Sequence, residues 1–101
     1  MSEKKDFIES LRQKLEDWDY QRDRLAARIS DLSQEWREEA EEKLADFKEE
    51  RKELEAKLEV LESRTEDAWQ DIKDGIELAW DGLKTGLLAA RSEFEDKDKK
   101  D

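Results

Sequence analysis

The chain has no histidine, no cysteine and no proline, and its three glycines all lie between Gly75 and Gly86. Without histidine and cysteine it lacks the usual general base near neutral pH, a thiol nucleophile, and the imidazole or thiolate ligands of zinc. The Glu-x-x-His motif of di-iron bundles cannot be written. No disulfide framework is possible, and no thiol indicates a redox compartment. The lack of proline argues against the turn-rich chain of a β-fold. Apolar residues are also sparse: 35% are hydrophobic and 50% charged over 101 residues. That length suits one domain, and that composition suits the narrow apolar seam of a coiled coil. No apolar run approaches a membrane span. The opening Met-Ser-Glu-Lys-Lys-Asp leads into an amphipathic pattern without an apolar signal core, so a soluble, cytoplasmic protein is expected.

The net charge of −11 argues against nucleic acid, since phosphate binding needs a basic face, and against simple docking on anionic lipid. The run Glu38, Glu39, Glu41, Glu42 reads as a solvated helix surface rather than a cation site. No calcium loop or glycine-rich phosphate loop is present. No catalytic, cofactor-binding or metal residue is assigned, and a non-enzyme without a cofactor is expected.

What is abundant is Glu, Lys, Leu, Ala and Arg, all strong helix formers. Ile8, Leu11, Leu15, Trp18, Leu25, Ile29, Leu32 and Trp36 recur at alternating steps of three and four, with Arg22 in the same seam. Ala40 and Leu44 then follow at steps of four, a stutter, before Phe47, Arg51, Leu54, Leu58 and Leu61 resume the pattern. Arg22 and Arg51 either pair with acids to fix register or lay their stems on the seam with their heads in water.

The third stretch has a different period. Residues 69–79 and 80–90 align as an eleven-residue repeat, matching Trp69 with Trp80, Ile72 with Leu83, Lys73 with Lys84, Gly75 with Gly86, Ile76 with Leu87 and Ala79 with Ala90. Such a repeat keeps an apolar stripe straight along a helix, and Phe94 extends it. Gly75, Gly82 and Gly86 fall on one edge of the stripe, where small residues let another backbone come close. Lys73, Lys84 and Arg91 form the other edge. Leu78 and Leu88 lie off the stripe.

The expected fold is all-α: a long heptad-patterned helix over residues 6–62, a turn at 63–65, and a shorter antiparallel helix over 66–94. Residues 1–5 and the charged tail 95–101 are expected to be disordered. Ser63 and Glu66 have the spacing of a capping box, which marks the turn. In this helical hairpin Trp36, Leu44, Phe47, Leu54, Leu58 and Leu61 pack against Trp69, Ile72, Gly75, Ile76, Ala79, Trp80, Leu83, Gly86, Leu87 and Phe94. Trp80 is expected near Leu44 and Phe47, and Phe94 near Trp36. The N-terminal seam is left without an internal partner. Ile8, Leu11, Leu15, Trp18, Arg22, Leu25, Ile29 and Leu32 are therefore expected to form an oligomer interface, in a dimer or tetramer. A break at Ser30–Ser33 would instead close a three-helix bundle, and an unbroken rod is the remaining alternative.

With Ala68 through Trp80 following a long charged helix, the chain resembles small acidic bacterial coiled-coil-domain proteins of unknown function, a resemblance that implies a helical hairpin and no activity. Residues 66–94 also resemble the eleven-residue amphipathic repeats of exchangeable apolipoproteins and some stress-protective proteins, which implies peripheral lipid contact. A fainter likeness to three-helix spectrin-type repeats rests on Leu11, Leu15 and Trp18. The functional expectation is a structural, protein-interaction protein that self-associates and presents an acidic surface to a protein partner. The alternative is a lipid-surface or stress-protective role for residues 66–94.

Overall fold

Leaving the N-terminal seam in water forgoes about 1.5–3 kcal/mol for each large apolar side chain. Interrupting a helix for one turn loses about four backbone hydrogen bonds, each about 0.5–1.5 kcal/mol net. Folding back is therefore favoured by a wide margin, and the chain folds back twice. A computed structural model describes residues 3–65 and 67–99, with side chains through Phe94. It consists of α1 (Glu3–Ile29), α2 (Gln34–Ser63) and α3 (Trp69–Lys99). These pack as an elongated three-helix bundle with extents of 53 × 20 × 16 Å.

This corrects the expected two-helix hairpin. The single helix over 6–62 is broken at Ser30–Ser33. There the amides of Asp31 and Leu32 donate to the carbonyls of Arg28 and Ile29, tightening the last turn of α1, and Ser30 Oγ donates to the Ala27 carbonyl. Ser33 is extended (φ −61°, ψ 161°) and begins α2, its carbonyl accepting from the Arg37 amide. Leu32 stays buried inside the turn, so the apolar phase crosses the break without a slip.

The second reversal lies between Ser63 and Trp69. Arg64 is extended and its amide donates to the Leu61 carbonyl, while the Thr65 carbonyl accepts from Ala68 and Trp69. Ser63 Oγ turns back to the Val60 carbonyl, and Glu66, the other half of the expected capping box, lies outside the described residues. Helix α1 already starts at Glu3, and α3 continues past Phe94 to Lys99. Residues 1–2 and 100–101 of the expected disordered termini lie outside the described residues.

α1 and α3 run parallel, both antiparallel to α2, and three aromatic pairs mark the levels of the bundle. Phe7 meets Trp69 at one end with ring centroids 5.8 Å apart. Trp18 meets Phe47 edge-on at 6.0 Å near the middle. Trp36 meets Phe94 edge-on at 6.4 Å at the far end, as the sequence suggested. Between them Leu54, Leu58, Leu61 and Ile76 are fully buried. Among the described residues no polar or charged side chain is buried.

Candidate functional site

The seam expected to face a second chain is filled within one chain. Ile8, Leu11, Leu15, Trp18, Leu25, Ile29 and Leu32 are all buried in the common core. The unpaired surface that called for an oligomer is therefore not there. Of the residues assigned to the hairpin, Phe47, Leu54, Leu58, Leu61, Trp69, Ile76, Leu83, Leu87 and Phe94 are buried in the same core. Trp36, Leu44, Ile72, Ala79 and Trp80 pack partly buried against it. Gly86 is partly buried and Gly75 is exposed. α3 has turned its apolar stripe inward, so contact with a lipid surface through that stripe requires α3 to leave the bundle.

Two placements differ from the sequence reading. Trp80 lies on the α1 side of α3, lining hollows with Phe7, Leu11, Trp18 and Gln21, neighbours that the two-helix hairpin did not offer it. Gly75 and Gly82 face open space, where an added Cβ would meet nothing within 4 Å. Only Gly86 is held at close approach, its Cβ position 3.1 Å from the Phe47 ring. The periodicity located the small edge of α3. It did not show that α2 comes close at only one of the three glycines.

Three parts of the bundle surface stand out among the described residues. The first is an ion lattice between α1 and α2. Arg51 grips Asp19 with two hydrogen bonds, Nε to Oδ1 at 2.8 Å and Nη2 to Oδ2 at 3.0 Å, and donates Nη1 to Glu55 at 2.9 Å. Arg12 donates to Glu55 at 2.8 Å and also pairs with Glu62. Arg22 lies 5.4 Å over the Trp18 ring and 3.4 Å from Asp19. Of the two readings of the seam arginines, Arg51 follows the first, pairing across helices. The Glu55 carboxyl is held below the usual carboxylate range by its hydrogen bond from Arg51 and then by that from Arg12. Arg12, bonded to Glu62 and Glu55, and Arg51, bonded to Asp19, are pushed above the ordinary guanidinium value.

The second part is the outer face of α2. Glu35, Glu38, Glu39, Glu41, Glu42, Asp46, Glu49, Glu50, Glu53 and Glu59 are all exposed, against Lys43, Lys48, Lys52 and Lys57. This face carries much of the chain's negative charge. Among the described residues no group of three or more His, Cys, Asp or Glu is arranged to hold a metal ion. No helix of the described residues is long and apolar enough to cross a membrane.

The third part is the groove between α1 and α3. Phe7, Ser10, Leu11, Lys14, Lys73, Glu77 and Trp80 line a hollow of about 240 Å³. Asp17, Trp18, Gln21, Trp80, Lys84, Leu87, Leu88 and Arg91 line the next, of about 290 Å³. The helices are tied beneath it by Trp18 Nε1, which donates to the Leu83 carbonyl at 3.0 Å, and at its end by Arg91, which donates to Gln21 at 2.9 Å. Lys73 sits 5.6 Å over Phe7 and 5.4 Å over Trp69. The sequence reading passed over Phe7, Lys14 and Gln21 because they lie off the heptad seam. Their signal is the seven-residue spacing of Phe7, Lys14 and Gln21, which marks a second stripe on α1.

No protein-family model, curated protein or solved structure matches the chain.

Proposed function

We propose that the chain is a non-enzymatic protein-interaction module that presents the acidic outer face of α2 to a basic protein partner. The observation that carries the reading is the division of labour in α2. Its inner face completes a core within one chain, while its outer face exposes Glu35 through Glu59 with few intervening lysines. Self-association through the α1 seam has no part in it, because those side chains are buried in their own chain. The non-enzymatic part rests on a sequence without histidine or cysteine. A surface of this kind acts by steering and by charge complementarity, so binding should weaken steeply with salt.

The test is fluorescence anisotropy of a labelled Lys/Arg-rich helical peptide titrated with the full chain. Micromolar binding that weakens with salt is expected. Neutralising Glu38, Glu42, Asp46 and Glu49 together, as Gln or Asn, should lower affinity at least about tenfold at low salt. Equal binding by this variant, with helix content unchanged, would sink the reading.

A further inference from the structure

The α1–α3 groove reverses the charge of the molecule around it. In a chain of net charge −11, the two hollows beside Trp80 bring together Lys14, Lys73, Lys84 and Arg91 against Asp17 and Glu77. Lys73 is 3.9 Å from Glu77 and Lys84 is 4.0 Å from Asp81, loose pairs on the helix surface that a partner's carboxylates would replace. The floor is apolar: Leu11, Trp18 and Leu87 are buried, Trp80 is partly covered, and Leu88 stands 58% exposed on the lip. Leu78, which is 73% exposed, lies outside these hollows, so it is the pairing of Leu88 with Trp80 at a cation rim that singles this edge out. Single exposed leucines are ordinary on a protein surface, whereas an apolar floor between charged rims is the form of a helix-binding groove.

The α3 rim has a readable spacing. Lys73, Lys84 and Arg91 stand eleven and seven residues apart, steps that return to nearly the same side of a helix. Together they span about 27 Å at 1.5 Å per residue, or about five helical turns. A helix lying along α3 with acids at matching steps would meet each cation in turn while its apolar face covered the floor. A bilayer fits less well. The groove is concave, and the acidic face of α2 on the same narrow molecule repels anionic lipid.

We infer that the groove between α1 and α3 docks an acidic amphipathic helix of a partner protein. Its apolar residues cover Trp80 and Leu88, and its carboxylates meet Lys14, Lys73, Lys84 and Arg91. This surface is separate from the acidic face of α2, and either assignment can fail without the other.

The experiment is ¹⁵N NMR on the full-length chain. The probe is a synthetic helical peptide of about 18 residues, the span of the groove on α3, with leucines on one face and glutamates on both flanks. A scrambled peptide of the same composition is the control. The Trp80 indole N–H, assigned through Trp80→Phe, and the amides of residues 73–91 should shift with the amphipathic peptide alone. The double substitution Lys73→Glu with Lys84→Glu should weaken binding at least about tenfold, while Lys57→Glu on α2 leaves it unchanged. All three lysines are on the surface, and helix content by circular dichroism checks that each variant folds. Absence of shifts, shifts mapping away from the groove, or equal affinity of the double variant would each overturn the proposal. So would the same resonances moving with protein concentration alone, which would make a second copy the occupant. Movement with phosphatidylglycerol vesicles but not with the peptide would overturn it in favour of lipid.

Discussion

The two interfaces that α2 makes are built on different physics. Against α1 it is laced at the rim by Arg51 with Asp19 and Glu55, and by Arg12 with Glu55 and Glu62. Against α3 it relies on shape: the Phe47 ring lies in the space left by the missing side chain of Gly86, and Trp36 meets Phe94 edge-on. The α1 side adds directional bonds at partly exposed positions, which fix register and contribute modestly to stability. The α3 side has dry packing, which loses both burial and contact when a side chain is trimmed. α2 thus packs apolar side chains against both neighbours and adds directional ion pairs on its α1 side.

Phe47→Ala should have the largest effect, because that ring touches both Gly86 of α3 and Trp18 of α1. A loss of about 3–5 kcal/mol is expected in denaturant unfolding. A loss near 1 kcal/mol would mean that the ring is not tightly enclosed between α1 and α3. Trp18→Phe keeps most of the ring and removes the bond to the Leu83 carbonyl, and should cost about 1–2 kcal/mol.

The ion lattice should give smaller numbers. A double-mutant cycle on Asp19→Asn and Arg51→Gln should show a coupling of about 0.5–1 kcal/mol that shrinks in molar salt. A coupling insensitive to salt would show that these pairs are not screened by solvent. The same lattice predicts a pH signature. Because the folded-state pKa of Glu55 is lowered, its contribution is fully present above the unfolded-chain value and is lost as pH falls through the folded value. The stability difference between wild type and Glu55→Gln should stay flat from neutral pH to the carboxylate range, then shrink below it.

The smallest effects should have the opposite sign. Gly75→Ala and Gly82→Ala place a methyl group in open space and should each stabilise by about 0.5–1 kcal/mol. Gly86→Ala must displace the buried Phe47 ring and should gain less than either, or lose stability. Equal gains at all three positions would show that α3 does not depend on close approach at Gly86.

Much of the fold could be read from the sequence, and particular residues show where that ended. Leu54, Leu58, Leu61, Ile76 and Leu83 were identifiable as core because burial on one side of a helix imposes a period, and they are buried. The break at Ser30–Ser33 was invisible to that method, since Leu32 keeps the apolar phase through the turn. Its trace was local: two serines and an aspartate compete for backbone hydrogen bonds and weaken a helix. The α1 neighbours of Trp80 were missed for a related reason. Its position on the wheel lies on the α1 side of the stripe, and with α1 assigned to another chain that side had no neighbour to receive it. The candidate groove was only half legible. Lys73, Lys84 and Arg91 were seen as one edge of α3, but Lys14 joins them only when α1 lies alongside.

The sequence by itself determined that the chain is helical, that the seam residues from Ile8 to Leu61 face a core, and that the run from Glu38 to Glu42 lies on a solvated helix surface. These follow from intrinsic propensity, from the helical period and from charge, all of which act within about two turns of chain. Only the tertiary structure decided that the N-terminal seam is covered by its own chain, that one glycine of three is closely approached, and that a cation-rimmed groove forms between α1 and α3. Those outcomes depend on which helix lies beside which. That is settled by the apolar area a fold-back removes from water, set against the few hydrogen bonds lost at the turn.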